Sequence, residues 1–195
     1  MEETKIPLKC VKRVIGLELA QSTQDLALEL AQRGEEEGTM VLACQQTSAR
    51  KQDGSRFAAG EGGVYFTLIL RPAKADLCAL SLSRQAAQAV AEALAQAYGI
   101  KTKVKLPNEV LAWDGKTRQW KQIAAVLTET FFEEDSRFAL LGVGVNVNNR
   151  LTGSAKAKSV SLKQLIGMET SKEVALDEIL TSFWKHYAHW TYSAQ

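Results

Sequence analysis

Hydrophobic positions in this chain follow two repeats, and the shorter of the two predicts strands. Apolar runs rich in β-branched or aromatic residues occur at 11–19, 39–44 and 64–70, and such runs are typical of buried strands. A further segment, 100–106, alternates lysines with apolar residues, so its lysines should share one side of a strand that faces solvent. These runs predict four strands.

A second group of strands is predicted to form an antiparallel meander. Pro107 interrupts the chain after the lysine-bearing strand. An Asp-Gly pair at 114–115 then indicates a hairpin between apolar runs at 110–113 and about 120–129. A third run follows at 138–147 and contains two glycines. Glycine inside a buried strand often marks the close approach of a ligand or of another backbone.

The longer repeat places apolar residues on one helical face and predicts helices. One helix begins at Ser22 or Thr23, whose hydroxyls can accept hydrogen bonds from the first free backbone amides. Further helices are predicted over 83–98, where glycine follows, and over 171–189.

The segment between the last predicted strand and the last helix is small and polar. Residues 148–158 predict a loop, and residues 160–166 predict a short helix or turn. No internal repeat, low-complexity tract or linker divides the chain. We therefore predict a single domain over residues 1–195 with an α/β (α+β) fold, in which helices back a mixed, largely antiparallel sheet.

Composition and charge narrow the class of protein. The 195 residues are 46% hydrophobic and carry a net charge of +2 from 24 basic and 22 acidic residues. This balance gives no strong electrostatic footprint for DNA or for an anionic membrane. The three cysteines lack a CxxC pattern, which argues against a disulfide framework and a structural zinc site. We therefore expect a cytoplasmic protein that binds neither DNA nor a membrane and has no metal site built from its own side chains.

The long polar segment between the second and third predicted strands is the first candidate for binding. Residues 45–57 contain two arginines, a lysine and several small residues, and a long loop between two buried strands is uncommon unless it holds something. The simplest alternative is a solvated basic surface. Ser22 and Thr23 at the helix start are a second candidate, either as caps alone or as hydroxyls that hold a polar ligand.

Six short motifs occur in an order that is specific to one family. They are Ser22-Thr23-Gln24-Asp25-Leu26-Ala27-Leu28-Glu29-Leu30-Ala31, Gln46-Thr47 with the loop that follows, Gly62-Gly63-Val64-Tyr65-Phe66-Thr67-Leu68, Lys105-Leu106-Pro107-Asn108-Glu109, Gln122-Ile123-Ala124-Ala125-Val126-Leu127-Thr128-Glu129 and Leu141-Gly142-Val143-Gly144-Val145-Asn146-Val147-Asn148-Asn149. In this order they resemble the STN, QTAGRGRRGR-W, GGGLYFSL, KWPND, KIAGILTE and IGIGINVNN segments of biotin–protein ligases. The resemblance is to the catalytic domain of the biotin/lipoate protein ligase superfamily. We expect neither that family's N-terminal DNA-binding domain nor its C-terminal β domain within 1–195.

The resemblance also assigns ligand-binding roles. It implies that the ureido ring of biotin is held by Ser22, Thr23, Gln46, the backbone at Ala49, and Arg50. Further residues that it places in the ligand loop, beside the nucleotide or at the reacting centre are Lys51, Asn108, Glu109, Gly142, Gly144 and Asn146.

The phosphate-handling side departs from the family pattern. The positions of a family arginine and of the catalytic lysine are occupied by the neutral Gln52 and Gln122. Loss of one preorganised charge costs about 2.7–4 kcal/mol at a transition state, or roughly 100- to 1000-fold in rate. The adjacent Lys51 and Lys121 are candidates for compensation, although Lys121 would need a β-bulge to reach the site. We count Lys121, Gln122, Glu109 and Gln52 as the candidate catalytic group.

The resemblance implies a two-step reaction. ATP, accompanied by Mg²⁺, and biotin form biotinyl-adenylate, and biotin is then transferred to a lysine of a biotin carboxyl carrier protein. One alternative is a catalytically weak or inactive ligase-like domain that binds biotin or a related acyl ligand. A second alternative is a lipoyl or octanoyl transferase. A homodimer joined at sheet edges is common in such ligases and stays open.

Overall fold

The structure, a computed structural model, describes residues 11–50, 54, 57, 59–72, 78–133 and 136–192. The described elements, in chain order, are β1 (Arg13–Ala20), α1 (Thr23–Gln32), β2 (Thr39–Gln46), β3 (Val64–Leu70), α2 (Ala79–Tyr98), β4 (Thr102–Lys105), β5 (Glu109–Asp114), β6 (Gln119–Glu133), β7 (Ser136–Val145), α3 (Gly153–Lys158), α4 (Leu162–Ile166) and α5 (Lys172–Tyr192).

The described strands form one seven-stranded sheet in the order β1-β2-β3-β7-β6-β5-β4. β1 and β2 are parallel, because α1 carries the chain across between them. The other neighbouring strands are antiparallel. The predicted fold class, a mixed and largely antiparallel sheet with helices, is confirmed.

The helices cover the two faces of the sheet unequally. α2 and α5 pack against each other and, with one face of the sheet, enclose the larger hydrophobic cluster. α1 packs on the opposite face against β2, β3 and β7, where a smaller cluster includes Val41, Ile69 and Leu140. The first turn of α1 therefore lies directly over the centre of the sheet, and this placement creates the site described below.

Local signals predicted most boundaries, with larger differences at the start of α2, at residues 148–158 and at the end of β6, which runs to Glu133 rather than 129. α2 begins at Ala79 rather than at residue 83, and it ends at Gly99, which adopts the left-handed conformation with φ 65°. The prediction that 148–158 is a loop was wrong in its second half, because α3 occupies Gly153–Lys158. Its alanines and lysines favour helix, but six residues are too few to show a helical hydrophobic repeat.

A β-bulge interrupts the pairing of β5 with β6. Val110 pairs with Ala124 and Leu111 pairs with Gln122, so Ile123 is an extra residue on β6. A bulge shifts the alternation of side chains between the two faces of a sheet. The alternation of β6 side chains between the two faces of the sheet is therefore out of step before and after Ile123.

Among the described residues, no helix is both long enough and apolar enough to cross a bilayer. In the same part of the chain, no group of three or more His, Cys, Asp or Glu side chains is arranged to hold a metal ion.

Candidate ligand pocket

A cleft of about 420 Å³, counting the space open to solvent at its mouth, lies between the start of α1 and the centre of the sheet. Its walls come from α1, from the end of β2 with the loop after it, and from β3, β6 and β7. The lining residues are Ser22, Thr23, Gln24, Gln46, Ala49, Arg50, Phe57, Phe66, Thr67, Ala125, Val126, Leu127, Gly142, Val143 and Gly144.

The helix start supplies the polar wall of this pocket. The Ser22 side chain accepts a hydrogen bond from the Asp25 backbone N–H at 3.2 Å, so it caps α1 as predicted. The Thr23 backbone N–H donates to Gln46 Oε1 at 2.8 Å, and the Thr23 hydroxyl lies 3.2 Å from the same oxygen. These bonds tie the end of β2 to the helix and hold the Gln46 amide in one orientation.

The two glycines of β7 make room for side chains that cross above the strand. A Cβ atom at Gly142 would lie 2.5 Å from Gln24 Oε1, and one at Gly144 would lie 2.6 Å from the Phe57 ring. Real Cβ atoms do not approach other heavy atoms this closely, so both positions need glycine as the structure stands. The glycines do mark a close approach, but by the side chains of Gln24 and Phe57 rather than by a ligand or another backbone.

The described part of the loop after β2 closes one side of the pocket. Phe57 packs edge-on against Tyr65, with ring centroids 6.1 Å apart, and its backbone N–H donates to the Ala49 carbonyl at 2.9 Å. The Tyr65 hydroxyl donates to the Gly60 carbonyl at 2.8 Å, and burial raises the pKa of the Tyr65 phenol. These contacts join the described part of the loop to β3.

Arg50 lines the pocket but is also in an ion pair. Its guanidinium contacts the Asp25 carboxylate at the start of α1, and both side chains are about half exposed. A pair this exposed contributes little to stability. Lys51 and Gln52 lie outside the described residues, so the structure gives no position for these two predicted site residues.

Several predicted site residues lie beside the pocket rather than in its lining. Asn108 is buried and donates to the Val126 carbonyl at 2.8 Å. Its role is therefore to fix the bend before β5. Asn146 is also buried and accepts from Asn149 Nδ2 at 2.8 Å. The Asn108 amide thus contacts the β6 backbone, whereas the Asn146 amide contacts another side chain just after β7.

Glu109 belongs to a row of residues that crosses the sheet at the pocket. Gly144 pairs with Ala125, Ala125 with Glu109, and Glu109 with Lys105. Residues paired in this way share one face of a sheet. The Lys105 ammonium lies 2.8 Å from the Glu109 carboxylate. An acid and a base therefore lie on the pocket face, one and two strands from Ala125 of the pocket wall.

Gln122 and Lys121 lie on opposite faces of the sheet. Gln122 pairs with Leu111. Leu111 is two residues from Glu109 on β5 and shares its face, so Gln122 also lies on the pocket face. The bulge separates Gln122 from Ala125, which lies on the same face. Lys121 pairs with the buried Ala112 on the other face. The bulge at Ile123 comes after both residues and leaves Lys121 turned away from the pocket.

The Lys121 ammonium is engaged at the β5–β6 hairpin instead. It lies 3.0 Å from Asp114 Oδ2, and both side chains are nearly buried. The Thr117 hydroxyl, which donates to the same oxygen at 2.7 Å, is the largest cause that lowers the pKa of Asp114 to about 2, and Lys121 adds to it. Compensation by Lys121 for the neutral Gln122 is therefore not supported by this geometry.

Eight residues that line the cleft were not among the predicted site residues. They are Gln24, Phe57, Phe66, Thr67, Ala125, Val126, Leu127 and Val143. Lys105, which completes the row across the sheet, was also not predicted. All of them except Phe57 stood inside the recognised motifs, which was the available signal. The motifs do not show which of these side chains face the cleft, because that depends on the pairing of strands that are distant in sequence.

These features define an α+β fold with a cleft that has one polar wall. Comparison with known proteins identifies the family. The model described as the biotin/lipoate A/B protein ligase family matches residues 16–146, and the chain belongs to this family.

Individual relatives narrow the resemblance to the biotin branch. The chain is 35% identical over 181 residues to the bifunctional ligase/repressor BirA of Bacillus subtilis, covering 90% of this chain and 54% of that protein. It is 31% identical to a biotin–[acetyl-CoA-carboxylase] ligase of Paracoccus denitrificans, covering 87% of this chain and 69% of that protein. The chain thus spans about half the length of the Bacillus relative.

Solved structures give the same result. The biotin protein ligase of Aquifex aeolicus, in complex with biotin and ATP, matches with a TM-score of 0.77 and 27% identity over 92% of this chain and 72% of that chain. The Leishmania major biotin protein ligase, in complex with biotinyl-5-AMP, has a TM-score of 0.74 at 18% identity, over 94% of this chain and 78% of that chain, and supports the fold alone.

Proposed function

We propose that this chain forms biotinyl-adenylate and pyrophosphate from biotin and ATP, and then transfers biotin to a lysine of a carrier protein with release of AMP. The observation that carries the proposal is the polar wall at the start of α1. There, Thr23 and Gln46 are hydrogen-bonded to each other beside Gln24 and Thr67, and the lining along β6 and β7 is apolar. A cyclic urea with an aliphatic tail matches such a cleft, because its head needs donors and acceptors and its tail needs apolar contact.

The orientation of the pocket suggests where activation takes place. The lining passes from the polar wall along β7 and β6 to Gly144 and Ala125. A ligand whose head lies against α1 would extend its carboxylate along this line, toward the row that ends at Glu109 and Lys105. Adenylation is then mainly a matter of holding the carboxylate in line with the α-phosphate of ATP and neutralising the phosphate charge.

Lys105 is the described cation best placed for this neutralisation. Two strand spacings of about 4.8 Å separate its backbone from that of Ala125, and a lysine side chain spans much of that distance. Its ammonium is largely exposed at its present partner, Glu109, so turning toward a phosphate would break only a weak surface ion pair. In this proposal Lys105 neutralises the phosphate charge. In the family pattern that role belongs to the catalytic lysine, whose position is occupied here by Gln122.

ATP would bring Mg²⁺ to the site as the metal bound to its phosphates, which is how this ion commonly enters nucleotide sites. The acceptor we propose is a carboxyl carrier protein, because the Paracoccus relative is a biotin–[acetyl-CoA-carboxylase] ligase. The domain supplies the pocket and the charges, and the acceptor supplies the lysine amine.

A second candidate function is biotin binding without effective activation. The observation that favours it is the pair Gln122 and Lys121, of which one is neutral and the other is held at Asp114 on the far face. Under this reading the pocket binds biotin, but the charge near the phosphates is insufficient for turnover.

One experiment separates the two. Pyrophosphate release is measured with biotin, ATP and Mg²⁺, and biotin binding is measured by calorimetry in parallel. We expect both signals from the wild type. Lys105→Ala should lower the rate by roughly 100- to 1000-fold with little effect on biotin affinity, while the matched change Lys101→Ala, outside the row, should leave both unchanged. Binding without pyrophosphate would support the second candidate, and absence of binding would contradict both.

A further inference from the structure

The polar end of the pocket contains a hydrogen-bond chain that starts outside the pocket. Glu129 on β6 accepts from Gln24 Nε2 at 2.9 Å. On the other side of the same amide, Gln24 Oε1 lies 3.2 Å from the Thr67 hydroxyl. Thr67 in turn lies 2.9 Å from the Thr23 hydroxyl. Glu129 does not line the cleft, whereas the other three residues do.

Gly142 allows this chain to cross the sheet. Thr67 pairs with Gly142, and Gly142 pairs with Leu127, two residues before Glu129. The Gln24 carboxamide occupies the space above Gly142 where a side chain would otherwise stand. It therefore connects a hydroxyl on one side of β7 to a carboxylate on the other.

A carboxylate only accepts hydrogen bonds, whereas an amide can both donate and accept. The amide nitrogen of Gln24 must therefore face Glu129, and its oxygen must face Thr67 and the cleft. Gln24 is itself 5% exposed, so water cannot readily satisfy a reversed amide. With a neutral or donating group at 129, this constraint would be lost.

We propose that Glu129 is a positioning residue that sets the polarity of the ligand pocket through Gln24. As a result, the Gln24 amide presents its acceptor oxygen at the inner end of the cleft. The neighbouring Gln46 amide has its oxygen hydrogen-bonded to Thr23. The ligand class selected in this way carries N–H donors at its head, as a cyclic urea does. This inference rests on the proposed function for the identity of the probe.

The first test uses no ligand. In the amide spectrum of the uniformly ¹⁵N-labelled wild-type chain, the Gln24 side-chain NH₂ protons should show nuclear Overhauser contacts to the Glu129 methylenes and not to the Thr67 methyl group. In Glu129→Lys, whose ammonium only donates, the amide should reverse and the contacts should exchange. Wild-type contacts to Thr67 alone would overturn the inference.

The second test measures selectivity by calorimetry, with biotin and its two mono-N-methyl analogues as probes. Wild type should prefer biotin over at least one analogue. Glu129→Gln, which can accept or donate, should weaken biotin binding a few-fold, and Glu129→Lys by roughly 5- to 100-fold, the range expected when a buried polar group is mispaired. In both variants the preference for biotin should shrink. Equal weakening of all probes would indicate mere structural support and would overturn the inference.

Two controls keep the result interpretable. Glu178→Lys makes the same charge change on α5, which covers the opposite face of the sheet, and should alter neither affinity nor preference. In a Gln24→Met background, Glu129→Gln should have no further effect on affinity, because Glu129 acts through Gln24. A full additional loss there would contradict the inference even if Glu129→Lys failed to fold. A wild-type chain with the expected amide contacts but no biotin binding would instead contradict the proposed function.

Discussion

Replacing Gly142 with alanine tests the packing on which the pocket depends. The added Cβ would lie 2.5 Å from Gln24 Oε1 and 3.4 Å from the Leu127 carbonyl oxygen. The second distance is ordinary contact, so the strand itself can accept a methyl group. The whole conflict falls on the Gln24 carboxamide, which must leave its place between Thr67 and Glu129.

Two costs follow, and they overlap. Overpacking a well-filled site costs about 1–3 kcal/mol, and loss of a hydrogen bond to a charged group costs about 1.5–3 kcal/mol. Because moving Gln24 relieves the overpacking while breaking the bond, the two are alternatives rather than a sum. We expect a loss of about 2 kcal/mol in the free energy of unfolding. For a chain of 195 residues this corresponds to a fall of about 4–8 °C in the melting temperature.

Thermal and urea unfolding of Gly142→Ala, Gln24→Ala and the double variant measure this directly. The control is Gly16→Ala, because a Cβ at Gly16 meets nothing within 4 Å, and its melting temperature should match that of the wild type. Once Gln24 is shortened the conflict disappears, so Gly142→Ala should cost almost nothing in the Gln24→Ala background. Strict additivity of the two single changes would refute the reasoning, and so would an unchanged melting temperature for Gly142→Ala.

Three further predictions concern single contacts. Asp114→Asn should destabilise the fold by about 2 kcal/mol at pH 6. The pKa of Asp114 is lowered to about 2 from an ordinary 3.8. The stability that this shift contributes is present above pH 4 and is lost as the pH falls through 2. Urea unfolding curves of the variant and the wild type should therefore converge near pH 2. Ser22→Ala removes the cap of α1 and should cost about 1 kcal/mol in thermal unfolding, whereas Ser22→Thr should restore most of it. Arg50→Ala breaks only a half-exposed pair with Asp25 and should change stability by less than about 1 kcal/mol while weakening biotin binding in calorimetry; a large stability loss with unchanged binding would contradict this assignment.

Much of the fold could be predicted because its signals are local. The apolar runs that became β2 and β3, and the Ser22 cap with the apolar face of α1, each lie within a few neighbouring residues. The hairpin at 114–115 has a turn signal of two residues. Such features need no knowledge of the rest of the chain.

The site was predicted less completely because its contacts are not local. Glu129 and Gln24 are 105 residues apart in sequence, and only the register of β3, β7 and β6 brings Thr67 and Gly142 between them. Lys105 was interpreted as one of three solvent-facing lysines, since alternation shows which side chains share a face but not what lies across the neighbouring strands. A motif can indicate which residues are important, whereas the register of the strands determines which of them are in contact.

The bulge at Ile123 also limits which mutations can change the chemistry of this site. Because β6 is one residue out of step there, substitution at 121 acts on the helix-covered face, and substitution at 122 acts on the ligand face. Deletion of Ile123 would not change this, because Gln122 would still pair with Leu111 and Lys121 with Ala112, each on its present face. A lysine therefore reaches the pocket face of β6 by substitution at 122, whereas deletion at the bulge would only remove the buried Ile123 side chain from the core.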